Sequence, residues 1–382
     1  MNRRQWMMLS GAAAAARPEL IKAQSPAGTE PVLPDKLLLK DYRPKSIFKI
    51  PVTEIKRAKF PVLDSHTHGR PGKPEALDEQ IKLMDAVNVE KAVVFAGATG
   101  ERFDQTLQFY SKYPQRFDTW CSFDLTGWDQ PGFGPAALKE LERCHRAGAK
   151  GVGEVVDKGR GVGGNLGTGP AGFPGSGGAP SNGPHPDDGR LDTLFARCAS
   201  LAMPINLHVS DPIWGYEKMD YTNDGLMNGF TWRLDDKPGL LGHEGLLQSL
   251  ERTLNKHSKT IFICCHFANL DYDLARLGRL LDTYPNLYAD NSARYAETAS
   301  IPRFTSQFYQ KHSDRIVYGT DMGYTQEMFS NTFRILESSD EHFYAGSSYH
   351  WHLAGLALPD AVLRKVYREN ALRAFEHARK NA

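Results

Sequence analysis

Neither sign of charge is in excess in this chain of 382 residues, where 46 Lys and Arg stand against 45 Asp and Glu for a net +1. Such a balance gives no basic field for nucleic acid and no like-charged block for a solvating tail. Cysteine is sparse. Cys121, Cys144, Cys198, Cys264 and Cys265 are odd in number, hold no C-x-x-C spacing and fall in apolar patterns, so they read as small buried hydrophobes. Cys264 and Cys265, neighbours on a strand, point to opposite faces and are poor partners for each other. No G-x-x-x-x-G-K-S/T pattern occurs, so the glycines make no phosphate loop. No apolar run, the N-terminal one included, is long enough for a stable membrane span. What remains is a chain able to bury a full core without disulfides, as one large α/β domain or two small ones.

Residues 1–23 read as a signal peptide of the twin-arginine type. Arg3 and Arg4 precede Trp6, an alanine-rich stretch runs to Ala16, and cleavage is expected after Ala23, although Ile21 is larger than the residue usual there. The expected location is periplasmic or secreted; the alternative is an unstructured basic N-terminus. Residues 24–59, rich in proline and lysine with little periodicity, read as a linker and surface arm, and residues 60–382 as the main domain.

From Phe60 onward, strand and helix patterns alternate. Strands are predicted at 60–65, 91–95, 117–123, 150–156, 204–209, 260–265, 286–290 and 315–319. Helices are predicted at 75–89, 103–113, 135–147, 191–201, 244–256, 270–284 and 301–312, and helices close the chain, ending with 360–377. Two segments break the rhythm. A glycine-rich insertion spans Gly159 to Gly189 after strand four, either a mobile loop or a disordered insert. A long loop after strand five carries Trp214, Tyr216, Tyr221, Phe230 and Trp232. Eight strands each followed by a helix predict a (β/α)8 TIM barrel rather than a doubly wound sheet, whose first strand would be followed by a glycine fingerprint where this chain has His-Thr-His.

Active-site residues of such barrels lie at the C-terminal ends of strands. Strand one supplies His66 and His68, which at i and i+2 project to one side. Strand four supplies Glu154, strand five His208, strand six His266 and strand eight Asp321. Four histidines and two carboxylates at one mouth form a donor set for a divalent metal. Each residue also has a plainer reading. His208 is either a core histidine or a ligand, and His266 either a ligand or a catalytic base. Glu154 either contacts metal or neutralises Lys158 or Arg160. Arg294, beyond strand seven, either clamps a substrate carboxylate or pairs with Asp290. Trp214, Trp232 and Tyr324 are candidate pocket walls.

Leu63-Asp64-Ser65-His66-Thr67-His68, Pro204-Ile205-Asn206-Leu207-His208, Cys265-His266-Phe267, Arg315-Ile316-Val317-Tyr318-Gly319-Thr320-Asp321 and Glu369-Asn370-Ala371-Leu372-Arg373-Ala374-Phe375 together resemble the amidohydrolase superfamily, in particular its amidohydrolase-related (amidohydrolase 2) branch. The resemblance implies metal ligation by His66, His68, His208 and Asp321, with His266 as ligand or catalytic histidine. Zinc is the first expectation and manganese or another ion the alternative. One or two ions are expected, since binuclear relatives carry a bridging lysine or glutamate at the position of Glu154. It further implies a hydrolase cleaving an amide, ester or lactone of a small molecule, with Asp321 as general acid/base. The alternatives are a decarboxylase of the same fold acting on an aromatic or unsaturated acid, and a non-catalytic exported binding protein. A homo-oligomer is compatible with all three.

Overall fold

The computed structural model describes residues 33–38, 41–166, 179–345 and 351–382. The expected signal peptide, residues 39–40, the centre of the glycine-rich insertion (167–178) and residues 346–350 lie outside the described residues. Two units are distinguished, Met1–Tyr42 and Arg43–Ala382. In the first, the described residues hold a turn closed by Lys36 N–H donating to the Leu33 carbonyl at 2.9 Å.

The second unit alternates parallel strands with helices. The strands are β1 (Val62–His68), β2 (Val89–Phe95), β3 (Phe117–Trp120), β4 (Val152–Asp157), β5 (Ile205–Val209), β6 (Phe262–Cys264), β7 (Leu287–Asp290) and β8 (Ile316–Val317). Between them run α1 (Pro74–Val87), α2 (Gly100–Tyr110), α3 (Pro135–Ala147), α4 (Asp192–Ser200), α5 (His243–Lys256), α6 (Leu274–Thr283) and α7 (Pro302–Lys311). After β8 follow α8 (Gln326–Glu337), α9 (Asp360–Arg364) and α10 (Asn370–Asn381), the last two joined by a π-helical turn at Lys365–Glu369. Helix ends follow local chemistry. Proline opens α1, α3 and α7, where its missing N–H costs nothing, and Gly148 closes α3 at φ 127° with its N–H on the carbonyls of Cys144 and His145.

Strands β1 to β3 pair in order, as do β4 to β8, every pair parallel. Hydrogen bonds stitch the two sheets at both seams. Cys121 N–H donates to Gly151 O at 3.1 Å and Gly153 N–H to Cys121 O at 2.9 Å. Across the other seam, Ser65 N–H donates to Tyr318 O at 2.9 Å and Asp321 N–H to His66 O at 3.0 Å. Eight strands therefore follow one another around a ring. Its interior floor is filled by Leu63, Val93, Phe95, Trp120, Ile263, Tyr288 and Val317, and Ala371, Ala374 and Ala378 of α10 pack into the same cluster. A larger cluster lies between the strands and the surrounding helices, including Val62, Val94, Val152, Leu207, Phe262 and Leu277. Asn370 fastens α10 beneath β8 by donating to the carbonyls of Ser313 at 2.6 Å and Ile316 at 2.7 Å.

Residues 43–59 carry no regular structure and are held by side chains and by the backbone bond from Ala58 N–H to the Val87 carbonyl at 3.1 Å. Thr53 gives its N–H and hydroxyl to the two oxygens of Asp340, each at 2.7 Å. In the glycine-rich insertion, Asp157 clamps both described ends: it accepts from Gly159 and Gly161 N–H at 2.8 Å and lies 2.6 Å from His185 Nδ1. Gly161, at φ 83°, admits no side chain, because a Cβ there would lie 2.0 Å from the Gly183 carbonyl oxygen.

Candidate metal centre

Two strands aim their site residues by breaking their own alternation. On β1, Leu63 belongs to the barrel floor, so strict alternation would next turn Ser65 inward. The pairing with β2 shifts register between Asp64 and Thr67, and His66 and His68 face the interior instead. On β4 a shift between Val152 and Val155 does the same for Glu154. Strand β6 stops at Cys264, and His266, Phe267, Ala268 and Asn269 then form a left-handed turn with φ between 53° and 57°. Non-glycine residues resist that conformation by about 1–2 kcal/mol each, so the surrounding packing holds the turn in place. It delivers the His266 ring to the centre. Asp321 also sits at positive φ, 53°, with its N–H on the His66 carbonyl.

The structure gathers His66, His68, Glu154, His266 and Asp321. Asp321 Oδ1 lies 2.9 Å from His68 Nε2 and 3.5 Å from His66 Nε2, and Oδ2 lies 3.6 Å from His266 Nε2. From the other side, Glu154 Oε1 is 3.9 Å from His66 Nε2 and 3.7 Å from His266 Nε2, and Oε2 is 3.6 Å from His68 Nε2. His208 stands at the border. Its Nδ1 is 2.5 Å from Glu154 Oε1 and its Nε2 3.2 Å from Asp211 Oδ1, so both ring nitrogens face carboxylates. Lys158 completes that line by donating to Asp211 at 2.9 Å. The alternative partner considered for Glu154 is thereby replaced: Lys158 serves Asp211, Arg160 serves Asn182 and the Pro238 carbonyl, and Glu154 serves histidines.

Behind the cluster stand residues that strand-end reading of histidines overlooked. Asp290, fully buried at the end of β7, takes His66 Nδ1 at 2.9 Å and His266 N–H at 2.8 Å. Ser292 Oγ lies 2.8 Å from His266 Nδ1, and the Ser292 carbonyl accepts from the same nitrogen at 2.9 Å. Asp290 and Asp211 both sit at or just past strand ends, so the rule that finds Asp321 reaches them too. Cys265, read from sequence as a hydrophobe, instead turns inward, with its Sγ 2.8 Å from Asn206 Oδ1.

Electrostatics mark this as a place for positive charge. Burial opposes a charged His66, yet Asp290, Asp321 and Glu154 hold its imidazole up at about 10. Burial likewise pushes the Glu154 and Asp321 carboxyls up, and is outweighed by imidazoles, His208 first for Glu154 and His66 first for Asp321. Both carboxyls stay well below the ordinary range. His66 Nε2 is buried and has no hydrogen-bond partner among the described residues. An orphaned imidazole nitrogen among ionised carboxylates fits a divalent cation.

Two cavities flank the centre. One of 380 Å³ is lined by His68, Arg70, Tyr110, Asp321 and Tyr324, the other, of 470 Å³, by Phe123, Glu154, Lys158, Arg160 and Val162. Tyr324 thus walls the first cavity, its buried hydroxyl without a hydrogen-bond partner among the described residues. Trp214 lines neither; it packs against Gly225 and the ring of Trp351, 6.2 Å away. Trp232 instead packs against Gly215 and Gly229. Arg294 does not pair with Asp290, whose carboxylate is taken by the histidines. It donates to Asn269 Oδ1 at 2.5 Å and the Ala293 carbonyl at 2.7 Å, with Nε 3.5 Å from Asp271, so its fork is engaged inside the protein.

No curated protein matches the chain. Among solved structures, it resembles 2,6-dihydroxybenzoate decarboxylase from Rhizobium, at 17% identity and a TM-score of 0.50, over 83% of this chain and 99% of that one. It also resembles a Staphylococcus aureus protein assigned as an amidohydrolase, at 16% identity and a TM-score of 0.51, over 83% of this chain and 100% of that one. At such identities the likeness is one of fold, that of TIM-barrel amidohydrolases. Residues 63–376, which include every residue of the centre, match the amidohydrolase family, and the chain belongs to that family.

Proposed function

We propose that the chain is an exported metal-dependent hydrolase that cleaves an amide, ester or lactone bond of a small molecule. The observation that carries this reading is the placement of Asp321, a carboxylate 2.9 Å from His68 and at the wall of the 380 Å³ cavity. The centre formed by His66, His68, Glu154, His266 and Asp321, with His208 at its border, would hold the divalent ion, zinc first. That ion supplies Lewis acidity, drawing the pKa of water toward neutrality and polarising a carbonyl.

The chain's own groups divide the remaining work. Asp321, kept ionised by its imidazole neighbours, accepts a proton from the attacking water and returns it to the leaving group. His266 gives its Nδ1–H to the Ser292 carbonyl, which leaves a lone pair on Nε2. That tautomer suits a ligand or base rather than a hydrogen-bond donor to an oxyanion, and burial further keeps the ring neutral. Tyr324 and Arg70 border the cavity where substrate would lie.

The test runs in heavy-oxygen water on a panel of lactones, esters, amides and aromatic acids. Incorporation of label into a cleaved product is expected, and the Asp321→Asn variant is expected to lose activity by about 10²–10⁴-fold while keeping most of its metal. Release of CO2 without label incorporation would replace hydrolysis by decarboxylation. Wild-type-like rates in Asp321→Asn would remove Asp321 from the mechanism.

A further inference from the structure

The centre offers an ion two seats. One comprises His66, His68 and Asp321; the other comprises His66, Glu154, Cys265 and His266. Within each, one ligand atom per residue can be chosen so that all lie within 4.8 Å of one another. His66 belongs to both. Its Nδ1 is committed to Asp290, and Nε2 has a single lone pair to give. The two seats therefore compete for one ion rather than holding one each through His66.

Their chemistry differs. The first seat has two imidazoles and a carboxylate at the mouth, with the His68 side chain 34% exposed. The second is recessed and includes sulfur. Cys265 reaches it because its neighbour Cys264 packs outward into the helix-facing cluster, leaving Cys265 on the interior side. Its Sγ–H is donated to Asn206 Oδ1, and Asn206 Nδ2 in turn donates to Asp290 at 3.3 Å, so the thiol is positioned by the same network that orients His66. The orphaned His66 Nε2 is buried and faces the space both seats share, where an ion would take the place of its proton.

We propose that Cys265 is a metal ligand, and that thiophilic ions such as zinc, cobalt and cadmium take the Cys265 seat while manganese takes the His66–His68–Asp321 seat. The inference rests on the metal-dependent reading above. On binding, the thiol proton and the His66 Nε2 proton leave to solvent, and sulfur exchanges its hydrogen bond to Asn206 for a bond to the ion. Thiolate donors favour such ions, whereas manganese favours carboxylate oxygen. This seat adds to the expected donor set a residue that sequence reading assigned to the core.

The full-length chain, stripped with chelator, is titrated with cobalt(II), cadmium and manganese while bound metal and absorption are measured. A sulfur-to-cobalt charge-transfer band in the near ultraviolet is expected in the wild type and in Cys264→Ser, and its loss in Cys265→Ser. Cadmium affinity should fall in Cys265→Ser by at least the roughly tenfold that loss of an outer-shell partner costs, with manganese affinity unchanged. Cadmium NMR on the wild-type chain reads sulfur ligation without any variant, so a poorly folded Cys265→Ser does not block the test. Cobalt bound without the band, a band that survives Cys265→Ser, or a cadmium resonance typical of nitrogen and oxygen donors alone would overturn the proposal and leave the hydrolase reading standing. Failure to bind any of these ions would remove both.

Discussion

Asp290→Asn keeps the side chain's volume and removes its charge, which isolates how the centre is oriented. In the native protein Oδ1 accepts from His266 N–H at 2.8 Å, Ser292 N–H at 3.1 Å and the Ser292 hydroxyl at 2.5 Å, while Oδ2 faces His66 Nδ1 at 2.9 Å and Asn206 Nδ2 at 3.3 Å. An amide retains one acceptor oxygen. With that oxygen left on the three-donor side, the new NH2 meets His66 Nδ1 and Asn206 Nδ2, two donors. The encounter is relieved when Asn206 turns and His66 moves its proton to Nε2, where a ligand lone pair is needed. Losing a hydrogen bond to a buried charged acceptor costs about 1.5–3 kcal/mol in stability. Losing the orienting partner of a ligand histidine costs about 10–100-fold in metal affinity, or about 1.4–2.7 kcal/mol. Competition for zinc against a chromophoric chelator reads the affinity, and melting with and without zinc reads the stability. Unchanged zinc affinity in a folded variant would refute this role for Asp290.

Zinc at about a hundredfold excess over its Kd should stabilise the chain by about 2.7 kcal/mol, reversed by chelator. Equal melting temperatures in both conditions would contradict a native-state ion site. Ala202 ends α4 at φ 54° with Met203 N–H on the Cys198 carbonyl at 2.9 Å, a turn that suits glycine. Ala202→Gly is expected to stabilise by about 1 kcal/mol in a denaturant melt, and a lower midpoint would show that the methyl group's contacts prevail. Burial raises the Asp340 carboxyl, but Thr53 and Arg334 outweigh it and hold it below its ordinary 3.8. Its folded pKa is thus the lower one, so its stabilisation is complete above 3.8 and lost as pH falls through the folded value. Protection of the backbone amides in residues 43–59, read as the exchange rate relative to the pH-dependent intrinsic rate, should fall on that acid side and stay flat from pH 5 to 8; protection lost on the alkaline side instead would exclude Asp340 as the anchor.

The barrel was legible in the sequence because its strands and helices carry strong periodicity, and every predicted strand and helix range overlaps an observed one, although α8 (Gln326–Glu337) had been given no range. The differences have local causes. Strand one was expected to stop at Ser65, but the register shift near Asp64 keeps it paired through His68. Strand six was expected to reach Cys265, and the left-handed turn at His266 ends it at Cys264. Neither a register shift nor a left-handed run of His-Phe-Ala-Asn leaves a mark in composition. Histidines stood out at strand ends because few residue types resemble them chemically. Asp290 and Asp211 did not, because a carboxylate near a strand end is commonplace until its partner is known. Cys265 was invisible for the opposite reason, since its apolar neighbours made burial a sufficient account. Arg294 shows the limit of proximity in sequence: Asp290 is four residues away, yet the guanidinium turns to Asn269 and Asp271.

That α10 completes the barrel floor has a consequence for synthesis. Leu63 of β1 and Ala371 of α10 belong to one cluster, and the seam bond from Ser65 to Tyr318 spans 253 residues. At about 5–20 residues per second, the ribosome delivers α10 roughly 15–60 s after β1. For that interval the nascent chain carries the paired histidines of β1 and an unsealed apolar floor. Closure is therefore a late, long-range event, slow by topology. Chains interrupted before Asn370 would present the floor side chains of β1, β2 and β3 to the crowded cytosol, where chaperone capture or aggregation competes with folding.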